Sequence, residues 1–240
     1  MARKTKALTF NYIIRRSQRA KKIRIIVTPE KIEVVAPIRA PERIIHDFVS
    51  QNQEWVEATS YKVKTTKRNV KKLAPDSYSD GVFVPFRGKQ VRVGLKQSLS
   101  TKVQVEFDGN EFYVFLPILK GDKSELIRTA LIEWMKNQAY KDVESYVNLY
   151  AKKYNLYPRY VRIKTQKSRW GSCGIHDDIN LNWLLILAPP EVMAYVVAHE
   201  LCHIQERNHS ARFWALVATH FPSYQKQRNW LKKNGSSLAL

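Results

Sequence analysis

The chain has 240 residues, of which 44% are hydrophobic, 11% aromatic and 26% charged, a composition typical of folded globular proteins. This composition excludes a chain that is disordered over long stretches, and no run of about 18 apolar residues predicts a transmembrane helix. The formal net charge is +20, and no acidic residue precedes Glu30. Such a charge indicates either attraction to polyanions, including nucleic acid and nucleotides, or a solvated basic surface.

The two cysteines, Cys173 and Cys202, are too few for a disulfide framework, so both thiols are expected to be reduced. The N-terminal segment 1–22 is cationic but lacks the apolar core of a signal peptide. We therefore expect a cytoplasmic protein that is not attached to a membrane. The sequence leaves the oligomeric state open.

The first half of the chain is predicted to be rich in β-strands, because β-branched residues alternate with polar ones between turn residues. Apolar residues at helical spacing interrupt this pattern once. The expected elements are a hairpin at 23–37 around Thr-Pro-Glu-Lys, a helix at 41–59, a strand pair at 82–95 around Arg87-Gly88, and a hairpin at 102–117 around Asp108-Gly109.

The pattern becomes mainly helical after residue 120. Apolar residues on one face predict a long helix, and Asp122 or Ser124 could cap it. The remaining elements are expected to be an antiparallel strand pair at 159–187, a helix with Pro190 in its first turn, and a final helix from about residue 211.

This order of elements predicts an α+β fold with two domains. The first domain, 1–120, is expected to be β-rich with one helix. The second domain, 121–240, is expected to contain the long helix, the antiparallel strands and two further helices.

Residues 198–210, AHELCHIQERNHS, contain a dense group of potential metal ligands. His199 and His203 are four residues apart, so on a helix they lie one turn apart on the same face. Glu200 could accept a proton from a water molecule bound to a metal ion that both imidazoles hold. This H-E-x-x-H arrangement, on a predicted helix that follows a strand, indicates a zinc hydrolase.

A catalytic zinc site requires a third protein ligand. No Asp or Glu follows Glu206, so the candidates are Glu206, His209 and His220. We favour His209, because a left-handed conformation at Asn208 would end the helix and turn this imidazole back toward the metal. Ser210 is expected to cap the next helix.

Several side chains near the motif have both a structural and a functional interpretation. Cys202 and Cys173 are expected to be structural rather than ligands or nucleophiles. Tyr195, one turn before His199, is expected to pack in the core, although it could stabilise an oxyanion. Three residues are candidates to line a cleft, with core packing an equal explanation for the first: Trp170, Asn180 and Asn182.

Three segments carry a family resemblance: KSRWGSC at 167–173, INLNWLLILAPPEVMAYVVAHELCH at 179–203 and NHSARFWALV at 208–217. Together they resemble the YgjP-like metal-dependent hydrolases, small zincins related to the SprT-like and WLM groups. The N-terminal hairpins, FVSQNQEWV and FRGKQVRV are also similar, so the resemblance spans most of the chain. It implies a zincin-like C-terminal domain with zinc on three imidazoles and a carboxylate as general base, namely His199, His203, His209 and Glu200.

The motif implies hydrolysis of a peptide or protein substrate, whose carbonyl is attacked by a zinc-bound water molecule that Glu200 activates. Pyrophosphohydrolysis of a nucleoside triphosphate at the same site is an alternative that the basic charge favours. A basic nucleic-acid-binding protein with a structural zinc is a third hypothesis, but such sites usually have four protein ligands. For a peptide, the strand at 178–187 or its partner is the expected pairing edge.

Overall fold

The structure is a computed structural model that describes residues 8–69, 73–118, 121–166 and 168–240. The chain divides into two compact units, Met1–Lys71 and Lys72–Leu240. Residues 1–7 of the basic N-terminal segment, and Lys167 at the start of KSRWGSC, lie outside the described residues. Within the described ranges, every helix is too short or too polar to cross a bilayer.

The N-terminal unit contains a three-stranded sheet and two helices. Its elements are β1 (Ile13–Ser17), β2 (Arg24–Val27), β3 (Ile32–Pro37), α1 (Glu42–Gln51) and α2 (Gln53–Asn69). β3 lies between the other two strands, antiparallel to β2 and parallel to β1. The predicted hairpin at 23–37 is therefore confirmed.

The helix predicted at 41–59 is two helices, α1 and α2. The chain leaves the helical conformation at Asn52, where φ is −106° and ψ is 13°. Before this break, α1 buries Ile45 and Val49 in a small hydrophobic cluster with Val34 of β3. The apolar spacing thus identified the helical segment but not its interruption.

The second unit contains a four-stranded sheet, a three-stranded sheet and four α-helices within its described residues. The first sheet is built from β4 (Phe83–Phe86), β5 (Lys89–Gln97), β6 (Gln104–Phe107) and β7 (Glu111–Leu116), and the second from β8 (Tyr160–Lys164), β9 (Gly171–Cys173) and β10 (Asp178–Asn182). The helices are α3 (Ser124–Tyr154), α4 (Pro190–Gln205), α5 (Ala211–His220) and α6 (Tyr224–Asn234), with short 3₁₀ helices at Trp183–Leu187 and Gly235–Ser237.

The four-stranded sheet has the order β4-β5-β7-β6, and its two predicted strand pairs are confirmed as antiparallel pairs. The units of the structure nevertheless differ from the predicted domains 1–120 and 121–240. Phe112 of this sheet shares one hydrophobic core with Leu131 of α3 and Leu201 of α4. Since burial of a sheet face decides where a sheet belongs, the strands at 83–116 are part of the second unit.

The long helix α3 is the central support of this core. One residue in every four is buried along its length, as expected for a helix with a single apolar stripe. These residues are Ile127, Leu131, Met135, Ala139, Val143, Val147 and Ala151. At its start, Asp122 accepts a hydrogen bond from the backbone N–H of Ser124 over 2.9 Å, while the Ser124 hydroxyl accepts one from Tyr78 over 2.8 Å.

The second sheet corrects the prediction of an antiparallel strand pair at 159–187. β8 and β10 are parallel neighbours, and β9 lies antiparallel on the other side of β10. The connection between β8 and β10 contains β9, which takes the antiparallel position. The chain then leaves the sheet at Asn182, whose side chain accepts a hydrogen bond from the backbone N–H of Leu184 and begins the 3₁₀ helix.

The turn between β4 and β5 contacts the segment that leads into α4. Arg87 and Gly88 both have a positive φ, 46° and 78°, as in the tight turns that suit a hairpin. Their N–H groups donate hydrogen bonds to the carbonyls of Ile186 (2.8 Å) and Leu187 (3.0 Å). The Arg87 guanidinium also pairs with both carboxylate oxygens of Asp142 in α3. This turn therefore connects a sheet, α3 and the start of α4.

Replacement of Gly88 by alanine is expected to destabilise the protein more than the same change at Gly109. Both residues have a positive φ, but a Cβ at Gly88 would lie 2.8 Å from Pro189 Cγ, whereas nothing lies within 4 Å at Gly109. Gly109→Ala should lower the free energy of unfolding by about 1 kcal/mol and Gly88→Ala by about 2–4 kcal/mol. Urea denaturation measures both, and equal losses would contradict the proposed contact with Pro189.

Candidate metal centre

Three imidazoles converge at the C-terminal end of α4. His199 and His203 lie on the helix, and His209 lies in the segment between α4 and α5. Their potential ligand atoms all lie within 4.8 Å of one another, and Nε2 of His199 is 3.0 Å from Nε2 of His209. Two nitrogens bound to tetrahedral zinc at about 2.0–2.1 Å would be about 3.3 Å apart. The three side chains therefore fit one small metal ion.

The chain reverses direction two residues earlier than predicted. α4 ends at Gln205, and Glu206 is extended, with φ −122° and ψ 99°. Asn208 is not among the residues with positive φ, so the predicted left-handed turn at this position is wrong. The predicted cap of the next helix is confirmed, because the Ser210 hydroxyl accepts a hydrogen bond from the backbone N–H of Phe213 over 3.3 Å.

The other two candidates for the third ligand, Glu206 and His220, make other contacts. The Glu206 side chain is outside the cluster, but its backbone carbonyl is 3.0 Å from His203 Nδ1. Because a carbonyl can only accept, the hydrogen lies on Nδ1 and the lone pair on Nε2. His220 instead stacks on Tyr154 at a ring distance of 3.9 Å.

Phe213 of α5 contacts all three imidazoles. Its ring centroid lies 4.9 Å from that of His199, 4.3 Å from that of His203 and 4.8 Å from that of His209. The side chain is fully buried, so it holds the three rings from the core side. Sequence reasoning did not identify Phe213. The available signal was an aromatic residue in the first turn of a helix whose cap follows the last of the three histidines.

Burial favours the neutral form of the two imidazoles on α4. It lowers the pKa of His199 to about 3, and repulsion from His203, His209 and Arg228 acts in the same direction. Burial likewise lowers the pKa of His203. A neutral imidazole offers its lone pair to a metal without first losing a proton. His199 and His203 are therefore suited to metal binding at neutral pH.

The Glu200 carboxyl group lies against β9. A Cβ at Gly171 would be only 2.4 Å from Glu200 Oε1, so this close approach requires glycine. Burial raises the pKa of Glu200 to about 8, while the Arg169 charge and a hydrogen bond from the Cys173 backbone act in the opposite direction. A carboxyl group that titrates near neutral pH can both take up and release a proton.

Arg207 attaches the segment between α4 and α5 to the turn between β9 and β10. Its guanidinium donates a 2.8 Å hydrogen bond to the Gly174 carbonyl and pairs with the Asp177 carboxylate. Nη1 also lies 3.6 Å from Cys173 Sγ. This contact fixes the chain two residues before His209. Nothing in the local sequence pairs Arg207 with Asp177, and sequence reasoning missed this role.

The expected packing roles of Cys202 and Tyr195 agree with their burial. Cys202 is fully buried in the hydrophobic core. Tyr195 is also buried, and its hydroxyl lies 3.5 Å from His199 Nδ1, the nitrogen opposite the one that faces His209. Burial raises the pKa of Tyr195 to about 12, so the hydroxyl is neutral. Cys173 is half-buried, and burial raises its pKa as well.

A cavity of about 520 Å³ lies beside the imidazoles, within the size range of known ligand sites. α4 and β9 line it, together with residues of α6. Of the three predicted cleft residues, Trp170 lines this cavity, whereas Asn180 and Asn182 do not. Asn182 is buried and donates hydrogen bonds to the carbonyls of Gln166 (2.8 Å) and Arg169 (3.3 Å). It therefore holds the loop that precedes β9.

Of the strands predicted as a pairing edge, β10 is internal to its sheet and its antiparallel partner β9 lies at the edge. β10, at Asp178–Asn182, is the central strand of its sheet, so it cannot pair with an additional chain. Its antiparallel partner β9 is an edge strand, and all three of its residues line the cavity. An edge strand therefore borders the cavity that the imidazoles line.

Replacement of Arg207 by glutamine is expected to weaken zinc binding about tenfold, a typical effect for residues that orient metal ligands indirectly. The change removes the contacts with Gly174 and Asp177 that position the chain before His209. Competition with a chromogenic zinc chelator measures the affinity. Arg212→Gln, an exposed residue on α5, is the matched control. Equal affinities of the two variants would contradict a positioning role for Arg207.

Comparison with known proteins identifies the family. A search of curated proteins gives no match. Among solved structures, the chain is similar to the metallopeptidase zymogen of Pyrococcus abyssi abylysin, with 23% identity, 38% of this chain and 93% of that chain covered, and a TM-score of 0.35. The family model described as YgjP-like, metallopeptidase domain, matches residues 21–234. Because this match covers nearly the whole chain, the protein belongs to the YgjP-like family and is a metal-dependent hydrolase.

Proposed function

We propose that this protein is a zinc-dependent metallopeptidase in which His199, His203 and His209 hold the ion and Glu200 is the general base. The observation that carries this proposal is the convergence of three imidazoles within 4.8 Å beside a buried carboxyl group and an open cavity. Three protein ligands that leave a fourth position free are typical of catalytic zinc sites, whereas structural sites are usually closed by four.

The donor set suits zinc, which binds neutral imidazole nitrogen readily. When bound, zinc supplies Lewis acidity that lowers the pKa of a coordinated water molecule toward about 7 and polarises a carbonyl group. The contact between His203 Nδ1 and the Glu206 carbonyl directs Nε2 of His203 toward the cluster. The Tyr195 hydroxyl is placed to do the same for His199.

Glu200 would move the proton in this reaction. Its carboxylate takes a proton from the attacking water molecule and returns it to the amine nitrogen of the leaving peptide. The position of Glu200 against Gly171 places this carboxyl group beside the β9 edge. A peptide that pairs with β9 as an added strand would therefore lie next to the general base.

A nucleoside triphosphate hydrolase is the competing function, because it would use the same residues and differ only in substrate. A nucleic-acid-binding protein with a structural zinc agrees less well with three imidazoles beside a cavity of about 520 Å³. A substrate screen distinguishes the nucleoside triphosphate hydrolase from a peptidase. Metal-dependent turnover distinguishes a peptidase from the nucleic-acid-binding protein with a structural zinc.

Glu200→Gln should retain about one zinc ion and lose about 10²- to 10⁴-fold in turnover, the usual contribution of a general base. The amide keeps the shape of the side chain but cannot take up the proton. Zinc content is measured by mass spectrometry, and cleavage with a peptide library beside a panel of nucleoside triphosphates. A wild-type protein that stays free of zinc after zinc dialysis, or a fully active Glu200→Gln variant, would overturn the proposal.

Gly171→Ala should also reduce turnover, about tenfold or more, with little change in zinc content. The added methyl group would meet Glu200 Oε1 at 2.4 Å and displace the general base without touching a proposed ligand. Gly174→Ala is the matched control, because its nearest contacts are 3.6 and 3.8 Å away, both on Asp178. If both variants kept wild-type turnover, the assigned position of Glu200 would be wrong.

A further inference from the structure

The cavity beside the imidazoles carries an excess of positive charge. Four of its lining side chains are cationic, whereas Glu200 is the one acidic side chain among the described residues that line it. The four cations are Arg169, Arg207, Arg228 and Lys232. Arg207 is paired with Asp177, but within the described ranges the other three have no acidic group within 4.0 Å.

Two of the unpaired cations come from α6. Arg228 and Lys232 are four residues apart, so they lie on the same face of this helix. The Arg228 guanidinium lies 4.4 Å from the centre of the Trp214 ring, and Trp214 stacks with His209 at 5.6 Å. The Trp214 ring is therefore in contact with both the Arg228 guanidinium and His209, a proposed zinc ligand.

The third unpaired cation, Arg169, is on the β9 side of the cavity. It precedes Trp170 and Gly171, and the buried Asn182 side chain holds its backbone carbonyl. Positive side chains thus lie on the α6 side and on the β9 side of one concave site. A guanidinium that stacks on an aromatic ring still presents its N–H groups at its edge, where they can bind a carboxylate.

We infer that this cavity selects peptide substrates that carry a carboxylate within two or three residues of the bond that is cut. The inference rests on the proposed peptidase function and names the substrate class of the same site. The carboxylate comes from an acidic side chain or from the C-terminus of the peptide. His209 lies 5.6 Å from the Trp214 ring and the Arg228 guanidinium 4.4 Å from it, so His209 and Arg228 are close enough for two or three residues of extended chain, at roughly 3.3–3.6 Å each, to reach from one to the other.

The position of these cations separates them from the generally basic surface of the protein. Arg169, Arg228 and Lys232 are exposed, but all three line one concave site, where their potentials add. An imidazole binds a metal ion as a neutral ligand, so a dication held by the three histidines would keep its full charge and would add to the positive potential. A substrate with a carboxylate would be attracted to this potential, whereas one with a basic side chain would be repelled.

Paired peptides that differ only in glutamate or glutamine near the cleaved bond test this inference. The wild-type protein should cleave the glutamate peptide with a kcat/KM about tenfold higher, and added salt should reduce the difference. A second pair, with a free or an amidated C-terminus, distinguishes the two sources of carboxylate. Equal cleavage of charged and neutral peptides in both pairs would overturn the inference while leaving the peptidase function intact.

Variants that replace the cationic side chains by neutral ones identify the residues responsible for the preference. Arg228→Gln combined with Lys232→Gln should reduce the preference for the carboxylate to about twofold or less. Lys233→Gln is the matched control, because Lys233 is the exposed neighbour on the same helix and does not line the cavity. Arg169→Gln tests the β9 side independently if the double variant does not fold. An undiminished preference in both the double variant and Arg169→Gln would overturn the inference.

Measurements of peptide binding distinguish failure of this inference from failure of the proposed peptidase function. Calorimetric titration of the Glu200→Gln protein with the glutamate and glutamine peptides measures charge recognition without turnover. The glutamate peptide should bind more strongly than the glutamine peptide, and Arg228→Gln with Lys232→Gln should abolish this difference. Such a result supports the carboxylate site even if no peptide is cut. Hydrolysis of nucleoside triphosphates with the same dependence on these two residues, and no peptide binding, would overturn the peptide assignment.

Discussion

The return of His209 to the helix that carries His199 and His203 is the constraint on which the site depends. On an unbroken helix, a residue six positions after His203 would point about 120° away from it. The helix instead ends at Gln205, an extended residue follows, and Arg207 anchors the chain to the neighbouring turn. Three features thus bring the third imidazole to the other two: an early helix end, an ion pair and a capped next helix.

The rigid part of the site comes from the core. α4 is buried along most of its length, so the backbone that carries two imidazoles and Glu200 cannot shift without disturbing the core. Phe213 extends this support to the third imidazole, since its buried ring contacts all three. The hydrophobic core thus provides the packing that positions these side chains, in contrast to zinc domains whose folding requires the ion.

Local patterns predicted the elements of this site better than their arrangement. The spacing of His199 and His203, Pro190 at a helix start and Ser210 at a cap are properties of a few adjacent residues, and the structure agrees with them. The parallel pairing of β8 with β10 was missed, because β9, which lies between them in the chain, takes the antiparallel position beside β10. The membership of the strands at 83–116 in the second unit was missed because shared burial with distant helices decides it. The role of Arg207 was missed for the same reason, since its partners lie about thirty residues away in the chain.

The two tight turns of the four-stranded sheet have opposite surroundings. The turn at Arg87-Gly88 is hydrogen-bonded to the segment before α4, so its length and shape are tied to the position of the helix that carries the imidazoles. The turn at Asp108-Gly109 meets nothing within 4 Å of the glycine and projects into solvent. Extra residues at an exposed turn of this kind leave the surrounding core unchanged. It is therefore the place to insert an affinity tag or attach a fluorophore without moving the helix that carries His199 and His203.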